Sequence, residues 1–162
     1  MKPSTLTLLL LIRTLCYLVP VLILVRYIAF MNKQNDWDDK MRDAQEHYDI
    51  GMKEYKKRDL HGALVEFNKS IELNPDLPVA YSIRGDVKEQ LGDSNGALAD
   101  FKKTIELDPK EAFAYYGLGV LNRQKGDLAG SNVDFKKAIE LNPGMQILIK
   151  AKGYSMDGTS SK

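Results

Sequence analysis

His47 and His61 are the only histidines in the sequence, Cys16 is its only cysteine, and Asp36, Asp38, Asp39 and Asp43 form an acidic cluster. These are the side chains whose types could carry chemistry. The two histidines do not stand at a metal-ligand spacing, and no Gly-rich phosphate loop or Ser/His/Asp order accompanies them. His47 and His61 are read as structural or exposed. The four aspartates could draw a cation, but they also suit the solvated acidic start of a helix, where the macrodipole favours negative charge. A single cysteine permits neither an intrachain disulfide nor a Cys-based zinc site. Cys16 is read as a small apolar residue facing lipid, with acylation as the sharper alternative; Arg13-Thr14-Leu15 before it does not resemble a lipoprotein cleavage box. No catalytic residue, no metal site and no cofactor is expected, and the chain is not expected to be an enzyme.

Charge narrows the partners. Residues 1–31 hold Lys2, Arg13 and Arg26 and no acid, so residues 32–162 carry 20 basic and 22 acidic side chains. A protein that grips a phosphate backbone needs a basic face. The C-terminal part has no such excess, so nucleic acid is not an expected partner.

The N-terminal stretch is apolar from Leu6 to Phe30, broken by Arg13 and Arg26. The uncharged run between the arginines is 12 residues, about 18 Å of helix against a hydrocarbon core of about 30 Å. Both arginines can snorkel toward the headgroups and so flank a span of adequate length. Pro20 is tolerable in a lipid-embedded helix. The expectation is a single-pass anchor over residues 1–31 that contacts lipid through residues 6–30. A cleaved signal peptide competes, but Tyr27 and Phe30 fit a small-x-small cleavage site poorly. Lys2 followed by an apolar run leans toward an extracytoplasmic C-terminal domain, while Lys33, Lys40 and Arg42 count slightly the other way.

The elements that position everything else are repeated. FNKSIELNP at 67–75 returns as FKKTIELDP at 101–109 and FKKAIELNP at 135–143, a period of thirty-four residues. Gly51, Gly85 and Gly119 align, as do Asp59, Asp93 and Asp127, then Gly62, Gly96 and Gly130, then Ala63, Ala97 and Ser131. Phe67, Phe101 and Phe135 follow, with Ile71, Ile105 and Ile139, and the units close at Pro75, Pro109 and Pro143. The apolar columns fall on one face of a 3.6-period helix. The aspartates suit N-caps, and each proline stops a helix by restricting the residue before it. Gly92 and Gly126 suit left-handed helix ends; Arg58 takes that place in the first unit. Lys69, Lys103 and Lys137 fall off the apolar face and are expected in solvent. The glycines at 51, 85 and 119 are expected to let the paired helix approach at Ala63, Ala97 and Ser131.

Two helices in thirty-four residues, with small-residue columns, a Phe and a closing Pro, resemble the tetratricopeptide (TPR) repeat family. The resemblance covers residues 44–143 as three units, 44–77, 78–111 and 112–143. It implies an all-α fold, a right-handed superhelical stack of helix-turn-helix repeats, here with one N-terminal transmembrane helix. Residues 32–43 are then a polar linker or the start of the first helix, 144–152 a short capping helix and 153–162 a flexible tail. His47, Arg84, Glu54, Lys88 and Asn122 depart from the family pattern, and looser packing is expected where they stand.

The family resemblance also implies a concave groove lined by the first helices, which holds a peptide or helix of a partner. Carried onto this chain, that surface comprises Tyr48, Met52, Tyr55, Ile83, Asp86, Phe113, Tyr116, Val120 and Arg123. Its Tyr, Phe and Met content suits an apolar or amphipathic segment. TPR domains that hold the acidic C-termini of heat-shock chaperones use a clamp of Lys, Asn and Arg. The corresponding positions are Tyr48, Met52, Ile83, Phe113 and Gly117, so that partner is not expected. The implied function is a membrane-anchored interaction protein: a scaffold, assembly factor or accessory subunit. The alternative is a small structural subunit whose N-terminal helix packs among other transmembrane helices.

Overall fold

The computed structural model describes residues 5–154, with side chains from Leu18 onward. The Arg13 and Cys16 side chains, residues 1–4 and residues 155–162 lie outside the described residues. The chain divides into two units, one up to Met41 and one from Arg42.

The first unit is helical, as part of α1 (Thr5–Lys56), which includes Pro20. From Leu18 to Phe30 its large apolar side chains are exposed; Ile23, for example, is 63% accessible. Lys40 pairs with Asp36 at 3.1 Å, one turn apart. Among the described residues, no helix is long and apolar enough to cross a membrane. The single-pass anchor expected over residues 1–31 is therefore not shown.

The second unit stacks helices in pairs. The end of α1 packs on α2 (Leu60–Leu73), α3 (Pro78–Gln90) on α4 (Ser94–Leu107), and α5 (Ala112–Gln124) on α6 (Leu128–Leu141). The short α7 (Met145–Ala151) closes the stack against α5 and α6. Among the described residues the unit contains helices and turns and no strand.

Local chemistry sets the boundaries. Asp59, Asp93 and Asp127 cap α2, α4 and α6, accepting from the Gly62, Gly96 and Gly130 N–H groups at 2.8–2.9 Å. Each cap also explains its glycine: a Cβ at Gly62 would lie 2.4 Å from the Asp59 carboxylate. At the other end, Asn74, Asp108 and Asn142 leave the helix with extended backbone before proline. Their side chains accept from the N–H two residues on, at 2.9–3.1 Å, an Asx turn that selects Asn or Asp in that column. Arg58 adopts φ +68°, matching Gly92 at +87° and Gly126 at +83°.

The core is one Phe per repeat. Phe67, Phe101 and Phe135 are buried, with Ala63, Ala97 and Ser131 one turn earlier. Burying each ring contributes about 1.5–3 kcal/mol. A hydroxyl from the second helix joins the pair in the first two repeats: Ser70 donates to the Ala44 carbonyl at 2.8 Å and Thr104 to that of Pro78 at 3.3 Å. Ala138 takes that place in the third.

Two expectations are corrected. Gly51, Gly85 and Gly119 are pressed by the rings of Phe67, Phe101 and Phe135 rather than by the small residues. A flat ring needs a surface without a Cβ, which is why glycine recurs there. The family departures also bring polar partners rather than loose packing. His47 Nδ1 lies 2.6 Å from Glu66, Arg84 and Lys88 both hold Asp100, and Asn122 donates to Asp134 at 2.8 Å.

Candidate functional site

The sequence-derived groove residues gather into two clusters. Tyr48, Met52, Tyr55 and Ile83 pack, partly buried, on a core of Ala63, Phe67 and Val87. Phe113, Tyr116 and Val120 belong to a second, with Phe135, Ala138 and Ile149. Tyr116 and Val120 are buried, at 5% and 7% exposure. Much of the expected surface therefore also serves packing between helices.

A polar bridge crosses the first cluster. Tyr55 donates to Asp86 at 2.5 Å, and Gln90 Nε2 donates to Asp86 at 2.6 Å and to the Tyr55 hydroxyl at 3.0 Å. Burial, and then the Asp86 hydrogen bond, push the Tyr55 phenol up to about 12. This bridge ties the first helix of repeat one to that of repeat two and leaves Asp86 facing the cavity beside it.

That cavity, about 160 Å³, is lined by Asp86, Glu89, Tyr116, Val120, Lys152 and Tyr154, among others. Burial raises the Tyr116 phenol, helped by the neighbouring Tyr154 and the charges of Asp86 and Glu89. Arg123, expected in the groove, lies with its guanidinium carbon 5.5 Å from the centre of the Tyr154 ring. Glu89, Lys152 and Tyr154 were absent from the sequence-derived surface. Glu89 shares a repeat column with Tyr55 and Arg123, so the thirty-four-residue period could have found it. Tyr154 lies beyond the last repeat but thirty-four residues after Val120, in the column of Met52 and Asp86, so the same period could have reached it.

The arrangement offers apolar and aromatic contacts with two carboxylates beside them, and among the described residues no group of three or more His, Cys, Asp or Glu could hold a metal ion.

The stacked pairs define an all-helical repeat solenoid. Residues 79–111 and 114–145 match the family model of the tetratricopeptide repeat. The matched residues are two of the three repeated units, and the fold is that of a tetratricopeptide-like solenoid. The unit at 44–77 lies outside the matched residues yet repeats their geometry, with Gly51 against Phe67 and Asp59 as cap. The fold is similar to that of the Arabidopsis OM64 TPR domain, with 22% identity and a TM-score of 0.64, covering 69% of this chain and 95% of that one. It is also similar to the first TPR of Spaghetti (RPAP3) bound to the HSP90 peptide SRMEEVD, with 19% identity, a TM-score of 0.60 and coverage of 69% and 94%. MamA is a further similar structure, with 27% identity and a TM-score of 0.57, covering 68% of this chain and 61% of that one. No curated protein matches the chain.

Proposed function

We propose that the chain is a membrane-tethered TPR protein without catalytic activity, which holds partner proteins at a membrane surface as a scaffold, assembly factor or accessory subunit. The observation that carries the tether is the band of exposed apolar side chains from Leu18 to Phe30. Apolar surface on that scale calls for a cover, and lipid is the cover that a helix of this composition suits. The groove supports the binding role. Its Tyr, Met and Phe side chains are types enriched at protein interfaces. Tyr48, Met52, Ile83, Phe113 and Gly117 supply no cation at the positions where chaperone-binding relatives clamp a carboxylate, so the partner is an apolar or amphipathic segment.

Two measurements test the reading. After alkaline carbonate extraction the full chain should remain with the membranes, and a chain beginning at Asn32 should not. Extraction of the full chain would remove the tether. Affinity purification in mild detergent should then recover partners that a Tyr55→Ala, Arg123→Glu variant loses. Equal recovery by both would move binding off the groove.

A further inference from the structure

The third repeat's share of the groove is already occupied, and by the chain itself. After α7 the backbone turns at Gly153, with φ +76°. The Tyr154 N–H reaches back to the Ile149 carbonyl at 3.1 Å, and the Gly153 N–H to that of Lys150 at 2.9 Å. This left-handed helix ending sets the direction of the next side chain. Tyr154 is thereby laid on Phe135, with ring centres 5.5 Å apart. Arg123 covers its ring at 5.5 Å, and it packs on the cluster that holds Tyr116 and Val120. Three of the nine groove residues therefore adjoin a residue of the same chain.

What sits in a site shows what the site accepts. Phe135 and Arg123 form a slot for an aromatic ring, one ring contact and one guanidinium over the ring, with Tyr116 lining the cavity alongside. The cavity beside the slot remains open and carries the carboxylates of Asp86 and Glu89, with Lys152 at its lining. Lys152 stands two residues before Tyr154. The pair is a basic residue, a spacer and an aromatic residue, matched to a carboxylate-lined cavity next to an aromatic slot.

We propose that this end of the groove is a site for a partner segment carrying a basic residue two positions before an aromatic one, and that Lys152 and Tyr154 hold the site until such a segment displaces them. The proposal rests on the groove as the binding surface and names the chemistry and the regulation of one part of it. A tethered occupant competes at a high effective concentration. The intact chain therefore takes an external ligand weakly, and release of Tyr154 opens the site.

The test uses the purified full chain in detergent and the peptide acetyl-Lys-Ala-Lys-Gly-Tyr-amide, which repeats residues 150–154. With fluorotyrosine in the peptide, fluorine NMR reads binding directly. Tyr154→Ala should bind the peptide about tenfold more tightly than the wild-type chain. Replacing the peptide's last Lys or its Tyr by Ala should abolish the gain, and Glu89→Gln should weaken it. If Tyr154→Ala unfolds, Tyr154→Leu keeps an apolar side chain on Phe135 while giving up the ring under Arg123, and a smaller gain is expected. Equal binding by wild type and folded variants, or none by either, would reduce Tyr154 to a cap on the last repeat and overturn the proposal. No partner protein is involved, so failure here is separate from failure of the groove in affinity purification.

Discussion

Arg84 and Asp100 form a two-pronged ion pair across the second repeat, Nε to Oδ2 at 2.8 Å and Nη2 to Oδ1 at 2.6 Å. Both side chains are nearly buried, at 14% and 6% exposure. Lys88 adds a contact to Asp100 at 2.9 Å, and Arg84 also reaches Asn68 at 2.9 Å. Asp100 belongs to an acidic column, Glu66, Asp100 and Asp134, that recurs every thirty-four residues. Each acid finds a polar partner on the first helix of its own repeat, a different one each time.

Arg84→Ala should destabilise the chain by about 2–4 kcal/mol, because it leaves a buried carboxylate with Lys88 as its main partner. The double change Arg84→Leu, Asp100→Leu should cost far less than the sum of the singles, since removing both charges removes the desolvation penalty. Chemical denaturation of the wild type, Arg84→Leu, Asp100→Leu and the double variant measures the coupling. Additive effects would show that the pair carries no specific interaction.

The same column should respond to acid in opposite senses. Glu66 is held below its ordinary range by its hydrogen bonds from Lys69 and then from His47, against burial. The stability it contributes is complete above its ordinary value and is lost as pH falls through the depressed one. Asp134 is pushed up, chiefly by burial. It takes a proton more readily folded than unfolded, so its ionised form costs stability that returns as pH falls. Glu66→Gln should therefore flatten the loss of stability in acid. Asp134→Asn should be most favourable near neutrality and lose that advantage as pH drops. Melting temperatures between about pH 3 and pH 7 read both. Parallel profiles for the two variants would contradict the assignment.

Ser131 stands where the other repeats have Ala63 and Ala97, and its buried hydroxyl oxygen has no hydrogen-bond partner among the described residues. Ser131→Ala should raise stability by about 1 kcal/mol, because an unsatisfied buried hydroxyl keeps its desolvation cost. Arg58 occupies the left-handed turn that Gly92 and Gly126 fill elsewhere. Arg58→Gly should add about 0.5–1 kcal/mol by relieving that conformation. Urea denaturation measures each, and a loss of stability would count against the respective explanation.

The period, the caps and the buried Phe column were legible because each is written locally. A cap aspartate and its glycine are three residues apart, and the apolar face of one helix lies within a single window. Pairings between helices were not. Nothing near Arg84 in sequence announces Asp100 sixteen residues later, so an arginine in an apolar column looked like a packing defect. The groove was legible by column but not by burial. Tyr116 belongs to it by position, yet Tyr154, from beyond the last repeat, packs against it. The glycine columns were seen and their neighbour was misjudged, since a ring pressed on a backbone requires knowing how the two helices face.

Phe101 gives the sharpest test of that packing, because glycines press it from two helices. A Cβ at Gly85 would lie 2.8 Å from its ring, and one at Gly117 only 2.3 Å. Phe67 has Gly51 on one side, and in the Gly117 column the repeat after it carries Ile83, so the double clearance belongs to the Phe of the middle repeat. Gly117→Ala should therefore destabilise more than Gly85→Ala, and Gly85→Leu should lower the melting temperature by several degrees, as overpacking costs about 1–3 kcal/mol. Phe101→Leu should partly rescue Gly117→Ala by removing the far end of the ring. Thermal melts of the single and paired variants decide it. An unchanged melt for Gly117→Ala, or no rescue by the smaller side chain, would mean that the ring is free to move aside and that glycine is not required there.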